Sequence, residues 1–293
     1  MPKKNQLNFL LFFLSMMLSL QGIAQKDYRN FNEITKKLKS IQSKNSANVK
    51  LKSLTKTIGG YDIWALTLSK GNASNKPAIA IVGGVDGSYL VSTEMAVNIT
   101  ENILNNHSDL LDNTTFYIFP NMSPNATENY FGALKYINLG NAKKTDDDRD
   151  GSFNEDPFED LNGDGFITKM RIEDVTGDYI PLKEDERIMV KADKTKGEIG
   201  KYKILTEGID NDKDGVFNED GKGGVHFNKN MSYNYQYFKP GTGEHPVSEN
   251  ENRALLDFLY EQWNIFAVIT LGPENNLANP SKFNRAGASK RVV

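Results

Sequence analysis

The chain has 293 residues, 38% of them hydrophobic, which is enough to build one sizeable α/β domain. Its formal net charge is −3, and no stripe of basic residues indicates nucleic-acid binding. Cysteine is absent, which excludes disulfide bonds, a catalytic thiol and a cysteine-based zinc site.

The N-terminal segment 1–24 has the layout of a secretory signal peptide. Lys3 and Lys4 precede an apolar run over residues 7–20, and small residues at 22–24 form a cleavage site. The apolar run is too short and wrongly flanked to span a membrane. We therefore predict cleavage after Ala24, a secreted or periplasmic protein without a membrane span, and one mature domain over residues 25–293. Loss of the two lysines changes the formal charge from −3 to −5.

The first elements of the mature chain follow simple periodic patterns. Residues 31–41 repeat apolar positions every three or four residues, which predicts an amphipathic helix with lysines on its outer face. Segments 49–58 and 61–69 alternate in polarity around Gly59 and Gly60, which predicts a β-hairpin.

The stretch 77–98 predicts a strand, a glycine turn and a helix. Residues 78–82 are a short apolar run, typical of a strand buried on both faces of a sheet, and Gly83 and Gly84 end it. Asp86 and Tyr89 then lie at the carboxyl end of a central strand, where open α/β sheets bind ligands.

Two more strands and a helix complete the predicted α/β pattern. Residues 115–119 and 265–271 are apolar runs that predict buried strands. Residues 248–263 predict a helix in which Ser248 is the N-cap and Glu251 completes a capping box. The expected fold is α/β, with a mixed central sheet flanked by helices.

Between about residues 141 and 222 the chain becomes acidic and repeats itself. The segment DRDGSFNEDP begins at Asp148 and DKDGVFNEDG at Asp212, with a related loop starting at Asp160. Oxygens at alternate positions before a glycine allow a tight loop to direct several carboxylates at a hard cation. We predict calcium binding, with the number of ions left open, by these side chains: Asp146, Asp148, Asp150, Asp160, Asn162, Asp164, Asp210, Asp212 and Asp214, completed by Glu155, Asp156, Glu219 and Asp220.

These acidic loops match the EF-hand only in part, because no glutamate stands at the twelfth position of any of them. The alternative is a solvated acidic insertion without an ion. Short alternating runs over residues 170–205 predict β-hairpins inside the insertion.

Three segments resemble those of the zinc carboxypeptidase family, the carboxypeptidase A-like metallopeptidases. They are PAIAIVGGVDGSYLVSTEMAVN, GGVHFNKNM and PGTGEHPVSENENRALLDFL. The resemblance runs from about Phe31 to Asn276 and implies the mixed-sheet fold of that family, with residues 141–222 as an insertion. It also implies a zinc-dependent activity on peptide C-termini.

The resemblance further implies three zinc positions, and this chain has Asp86, Tyr89 and Gly272 in them. A phenol with a pKa of about 10 is a poor zinc ligand, and glycine has no side chain to offer. Glu94 lies about 12 Å from Asp86 along a helix, which is too far to share an ion. We therefore expect the zinc ligands to be replaced. The histidines lie away from the ligand positions: His107, His226 and His245.

By the same resemblance, Asn228 and Lys229 would bind the terminal carboxylate of a peptide. Lysine replaces an arginine there and lacks the planar two-point fork of a guanidinium. Arg171 stands where related acidic insertions carry the arginine that polarises the scissile carbonyl, and a salt bridge to its acidic neighbours is the alternative. The family's general base would follow Leu271, and the polar tail up to Val293 leads us to expect either a C-terminally shortened member or a fragment of a longer one.

Three functions follow from these observations. The first is an exported carboxypeptidase-like domain that is catalytically degenerate but retains weak recognition of a peptide or protein C-terminus. The second is an active zinc metallocarboxypeptidase, and the third is a calcium-stabilised structural module. The sequence leaves the oligomeric state open.

Overall fold

The computed structural model describes residues 28–147, 149–218, 220–221 and 224–274. The predicted signal peptide and two of the predicted calcium ligands, Asp148 and Glu219, lie outside these residues. None of the helices in the described ranges has the length and apolar character that a bilayer crossing demands.

Helices and strands are interspersed along the chain. The helices are α1 (Phe31–Lys44), α2 (Val91–Asn106), α3 (Leu110–Asn113), α4 (Pro124–Asn129) and α5 (Asn250–Glu261). The strands are β1 (Val49–Lys56), β2 (Asp62–Leu68), β3 (Ala78–Val82), β4 (Thr115–Phe119), β5 (Lys169–Glu173), β6 (Tyr179–Pro181), β7 (Met189–Lys191), β8 (Tyr202–Thr206) and β9 (Ile265–Thr270). Short 3₁₀ turns lie at Ala73–Asn75, Lys194–Lys196 and Phe227–Lys229.

The main sheet has five strands in the order β1-β2-β4-β3-β9. β1 and β2 form the predicted antiparallel hairpin, and β2 is also antiparallel to β4. β3 lies between β4 and β9 and is parallel to both. The sheet is therefore mixed, as predicted, and the strand that precedes the candidate site has a neighbour on each side.

The apolar runs of β3 and β4 are buried because helices cover both faces of the sheet. On one face, Ile81 and Ile118 pack in a cluster with the buried stripe of α1, which includes Leu38, and with α2. On the other face, Ala80 of β3 packs in a second cluster that contains Leu255 of α5. Alternate residues of one strand thus serve two different cores.

Helix α1 begins with a capping box that the sequence analysis missed. The side chain of Asn30 accepts a hydrogen bond from the backbone N–H of Glu33 at 3.0 Å, and the backbone N–H of Asn30 donates to the Glu33 carboxylate at 3.0 Å. These two bonds satisfy backbone donors that a helix start otherwise leaves open.

Two predictions about the C-terminal elements are wrong. Helix α5 starts at Asn250 with Glu249 as its N-cap and without a side-chain cap, so the predicted capping box of Ser248 and Glu251 does not form. Ser248 Oγ instead donates to Glu249 at 2.8 Å, and Glu251 is buried and accepts a bond from Asn141. Hydrogen bonds from Asn141 and Asn230, which are distant along the chain, have replaced the local bonds of the predicted capping box.

Strand β9 is also less buried than its apolar sequence predicts. Phe266 is 66% exposed and Val268 is 51% exposed. Within the described residues, β9 is an edge strand that pairs only with β3.

The insertion contains a second, four-stranded antiparallel sheet in the order β5-β8-β6-β7, consistent with the predicted hairpins. Its two ends meet at the main body of the molecule. The backbone N–H of Asn141 donates to the carbonyl of Val225 at 2.9 Å, and the N–H of Val225 donates to the Asn141 side chain at 3.1 Å.

The two sequence repeats of the insertion are joined by buried carboxylates that cross from one to the other. Asp156, near the end of the first repeat, accepts N–H bonds from Asn218 of the second repeat and from Asn211 directly before it. Asp220, the equivalent residue of the second repeat, accepts the N–H of Asp147, directly before the first. Both aspartates are 0% exposed. The repeats are therefore interlocked and share their hydrogen bonds.

The carboxylate of Glu207 holds the middle acidic loop, which starts at Asp160, by accepting hydrogen bonds from it and from Thr168 after it. One carboxylate oxygen accepts N–H bonds from Leu161 and Asn162 at 2.9 and 3.2 Å. The other accepts the N–H and the hydroxyl of Thr168 at 3.1 and 2.9 Å. These bonds, that from the Thr168 backbone first, lower the pKa of Glu207 below its ordinary value.

We predict that Glu207→Ala lowers the melting temperature by several degrees, because four donors lose their acceptor. Glu207→Gln should have an intermediate effect, since one oxygen remains while the new NH₂ group faces donors. Because the folded-state pKa is lowered, the contribution of Glu207 is present at neutral pH and is lost as the pH falls through that value.

Thermal melting of the two variants and of Glu184→Ala, which changes an exposed acid of the same insertion, provides the measurement. Equal melting temperatures for Glu207→Ala and Glu184→Ala would contradict the role of Glu207.

Candidate functional site

The turn after β3 is shaped by glycine and by Asp86. Gly84 has a φ of +62°, and a Cβ there would lie 2.4 Å from Oδ1 of Asn121, so a side chain would not fit. Asp86 Oδ1 accepts bonds from the N–H and the hydroxyl of Ser88 at 2.9 and 2.7 Å. The Asp86 carboxylate therefore stabilises its own turn.

The other two zinc positions lie at the same edge of the sheet. Tyr89 follows in the same turn, and its N–H donates to the carbonyl of Asp86 at 3.1 Å. Gly272 lies two residues after the end of β9, and a Cβ placed on it would be 3.8 Å from Val85, an ordinary contact. The structure thus brings the Asp86 turn and Gly272 together, with room for a side chain at position 272.

The sequence placed His226 away from the zinc positions, but the residue belongs to this region. Burial lowers its pKa to about 4, with the charge of Lys229 acting in the same direction and that of Asp86 opposing it. Its ring packs on Gly241, where a Cβ would lie 2.7 Å from Nε2. A neutral imidazole therefore lies within electrostatic reach of Asp86. In the sequence, the one sign that His226 lies near the candidate site is its position two residues before Asn228.

The residues at this edge do not fit a hydrolytic zinc ion. Such a site needs three protein ligands and an open position for water. Asp86 is bonded to Ser88, Tyr89 offers a phenol, and Gly272 offers nothing. Among the described residues, only a group elsewhere brings three histidine or carboxylate ligand atoms within 4.8 Å of one another.

Glu94 has a different role. It belongs to the first turn of α2, and both of its oxygens accept bonds from Nε of Arg29, at 3.1 and 3.0 Å. The pair ties the N-terminal segment to α2 and engages both oxygens of the Glu94 carboxylate.

Asn228 and Lys229 lie exposed on the short 3₁₀ turn at Phe227–Lys229. The Lys229 ammonium donates to the carbonyl of Pro240 at 3.1 Å. The turn is held from behind by Asn230, whose buried side chain donates to the carbonyl of Thr242 at 2.8 Å. The two polar side chains are thus presented to solvent on a fixed support.

A buried polar network connects this turn to α5. The Asn141 side chain donates to Glu249 at 2.8 Å and to Glu251 at 2.9 Å. Glu249 also pairs with Lys143 at 3.3 Å, and its N–H donates to Asn230 at 3.1 Å. Burial raises the pKa of Glu251. This network was not visible in the sequence because its members are far apart along the chain.

Arg171 lies on β5, in the sheet of the insertion. Its guanidinium donates to the carbonyl of Glu186 at 2.6 Å and lies over the ring of Tyr202, 5.4 Å from its centroid. The described contacts of Arg171 are therefore made within the insertion, with a carbonyl and a ring and not with an acidic side chain.

The acidic loops share one local geometry. Asp160 and Asp210 each accept the N–H of the loop glycine, Gly165 at 2.8 Å and Gly215 at 3.0 Å. The aspartate at the fifth position of each loop accepts the backbone N–H of the residue two positions later in the chain. These pairs are Asp150 with Ser152, Asp164 with Phe166, and Asp214 with Val216. Side-chain oxygens at alternate positions thus accept backbone hydrogen bonds within their own loop, and these bonds help to shape each loop without an ion.

The third loop brings three carboxylates close together. Ligand atoms of Asp210, Asp212 and Asp214 lie within 4.8 Å of one another. Although the backbone N–H of Asp214 stabilises the charged form of Asp212, desolvation and the two neighbouring carboxylates raise its pKa. Such crowded negative charge favours a cation.

The other predicted ligands are placed differently. Asp156 and Asp220 are buried in the bonds that interlock the repeats. Asp146 has a buried Oδ1 without a hydrogen-bond partner among the described residues. Asn162 accepts the N–H of Asp164 at 2.8 Å within its own loop.

One protein-family model matches most of the chain. The family model described as "Zinc carboxypeptidase" matches residues 34–284. No curated protein matched significantly.

Solved structures resemble the chain at low sequence identity. Carboxypeptidase A from Helicoverpa armigera is 14% identical with a TM-score of 0.48, over 92% of this chain and 53% of that one. Thrombin activatable fibrinolysis inhibitor is 16% identical with a TM-score of 0.47, over 83% of this chain and 47% of that one. The chain thus spans about half the length of these two proteins. Because the family match covers most of the sequence, the chain belongs to the zinc carboxypeptidase family.

Proposed function

We propose that this protein is an exported carboxypeptidase-like domain that has lost hydrolysis and retains weak recognition of a peptide or protein C-terminus. The observation that carries the proposal is the contrast between two parts of one site. The zinc positions hold a turn-forming carboxylate, a phenol and a glycine, whereas the turn with Asn228 and Lys229 is firmly supported. Export is proposed from the signal-type N-terminal sequence.

The loss of hydrolysis follows from ligand chemistry. In zinc peptidases the bound metal lowers the pKa of a water molecule and so prepares a nucleophile at neutral pH. Asp86 supplies at most one charged ligand, and its oxygen is already an acceptor for Ser88. Without two further ligands, zinc would not be held tightly enough to serve this purpose.

Carboxylate recognition does not need the metal. Lys229 provides a positive charge, and Asn228 next to it provides an amide donor, both in contact with solvent. A hydrogen bond to a charged group contributes roughly 1.5–3 kcal/mol. Association itself costs several kcal/mol of lost freedom. Two such contacts, together with some side-chain burial, therefore give an affinity no better than the micromolar to millimolar range.

We predict that the purified protein does not retain zinc after dialysis against buffer, because fewer than three ligands are available. Elemental analysis measures the metal content directly. The triple variant Asp86→His, Tyr89→Glu and Gly272→His provides the matched comparison, since position 272 has room for a side chain. One tightly held zinc per unmodified chain would contradict the prediction.

For binding, we predict that a peptide with a free C-terminus binds more tightly than its amidated form. Lys229→Ala should remove the difference, because the ammonium is the charge that distinguishes them. Lys36→Ala, which removes an exposed charge on α1, is the control and should leave the difference intact.

Isothermal titration with both peptides provides the measurement. Equal affinities for the unmodified protein would contradict carboxylate recognition. Peptide hydrolysis that a zinc chelator abolishes would contradict the loss of catalysis.

A second candidate function, a calcium-stabilised structural module, is supported by the cluster of Asp210, Asp212 and Asp214. Calcium could offset the repulsion between these carboxylates and hold the insertion in one conformation. The two functions are compatible, since the loop and the turn at Phe227–Lys229 involve different residues.

We predict that millimolar calcium raises the melting temperature and that a chelator lowers it. A ligand that binds only the folded state stabilises it by about 2.7 kcal/mol at a hundredfold excess over Kd. Asp212→Asn should reduce the calcium-dependent shift, whereas Asp109→Asn, at an exposed acid outside the insertion, should not. A melting curve that is the same in calcium and in chelator would argue against calcium binding.

A further inference from the structure

A separate cavity of ≈ 510 Å³ lies between the β1–β2 turn, helix α4 and the segment that leads into the insertion. Its wall consists of asparagine side chains, aromatic rings and one carboxyl group, that of Glu128. None of the described residues that line it is a lysine, an arginine or a histidine. The volume is in the range of small-ligand sites, and the wall is rich in acceptors.

Asn125 contributes an acceptor that the protein leaves unused. The residue is 9% exposed, and its Oδ1 has no hydrogen-bond partner among the described residues. The side chain is fixed against Gly59, where a Cβ would lie 1.8 Å from Asn125 Nδ2. The Asn125 amide therefore gives the cavity wall a fixed polar group.

Glu128 contributes a negative charge without a counter-charge. One of its oxygens accepts the backbone N–H of Phe31, and within the described ranges it forms no ion pair. Burial, and then the charge of Glu33, raise the pKa of Glu128. Burial, and then the charge of Glu128, raise the pKa of Tyr61, and both residues line the cavity. A half-buried carboxylate in this position favours a cation.

The aromatic rings of the wall provide the remaining recognition. Tyr61, Phe131 and Tyr136 all line the cavity. The negative faces of such rings attract ammonium and guanidinium groups, most strongly where water is excluded. Aromatic rings and a carboxylate in one wall together match the chemistry of an organic cation.

We propose that this cavity binds the ammonium or guanidinium group of a ligand, with Glu128 as the charge partner and the rings of Tyr61, Phe131 and Tyr136 around the cation. The group could belong to a free amine or to a basic side chain of a peptide, and both present the same chemistry. The proposal does not depend on carboxylate recognition, because Asn228 and Lys229 are not part of the cavity wall.

The test is isothermal titration of the protein with N-acetyl-arginine amide and with its neutral isostere N-acetyl-citrulline amide. Neither probe has a carboxylate, so the candidate site at Lys229 cannot account for binding. We expect the arginine probe to bind at least about tenfold more tightly, because only its guanidinium forms a charge-assisted bond. Agmatine and acetyl-Ala-Arg-Ala-amide then distinguish a free amine from a peptide side chain by which binds more tightly.

Variants separate the cavity from other acidic surfaces. Glu128→Gln keeps an acceptor for Phe31 and should weaken the arginine probe about tenfold. Phe131→Leu keeps an apolar side chain but removes a ring, and should weaken binding a few-fold. Glu261→Gln, at an exposed acid of α5, is the control and should have no effect.

Melting curves establish that each variant is folded. Equal binding of the arginine and citrulline probes would overturn the proposal. Unchanged affinity in both Glu128→Gln and Phe131→Leu would also overturn it.

Discussion

The buried side chain of Asn141 joins the three parts of the molecule on which the candidate site depends. It closes the base of the insertion through Val225, and it donates to Glu249 and Glu251 at the start of α5. Two neighbouring buried carboxylates repel each other unless donors compensate them, and a single amide serves both of these. Asn230 continues the network to the turn with Lys229. The insertion, the helix and the candidate carboxylate site are therefore positioned by one chain of hydrogen bonds.

The electrostatics at the end of β3 differ from those of a metal centre. A metal centre gathers several ligands around an open position, whereas Asp86 is bonded to its own turn. The pKa of His226, about 4, means that the imidazole is neutral under ordinary conditions and adds no charge. Lys229 thus contributes a positive charge near His226, and Asp86 contributes an opposing one. An anionic group of a ligand would meet the Lys229 charge first.

The sequence predicted those features that depend on local patterns. The bounds of β3 and β4, the β1–β2 hairpin and the buried stripe of α1 follow from periodicity and glycine positions, and the structure confirms them. The capping box at Ser248 was predicted by the same logic and is wrong, because Asn141 and Asn230 bind its members from a distance along the chain. His226 and the cavity at Glu128 were missed for the same reason. A single sequence does not show which distant residues meet.

The crossing of Asp156 and Asp220 between the two repeats has a consequence for cooperativity. Each carboxylate satisfies backbone N–H groups of the other repeat, so neither loop keeps its hydrogen bonds when the other opens. Exposing either buried aspartate would also leave the donors of its partner loop unsatisfied. The two repeats therefore unfold locally as one unit. They do so although Asp156 lies 55 positions from Asn211 and 62 positions from Asn218 along the chain. A duplicated loop that interlocks in this way cannot lose one copy without disordering the other.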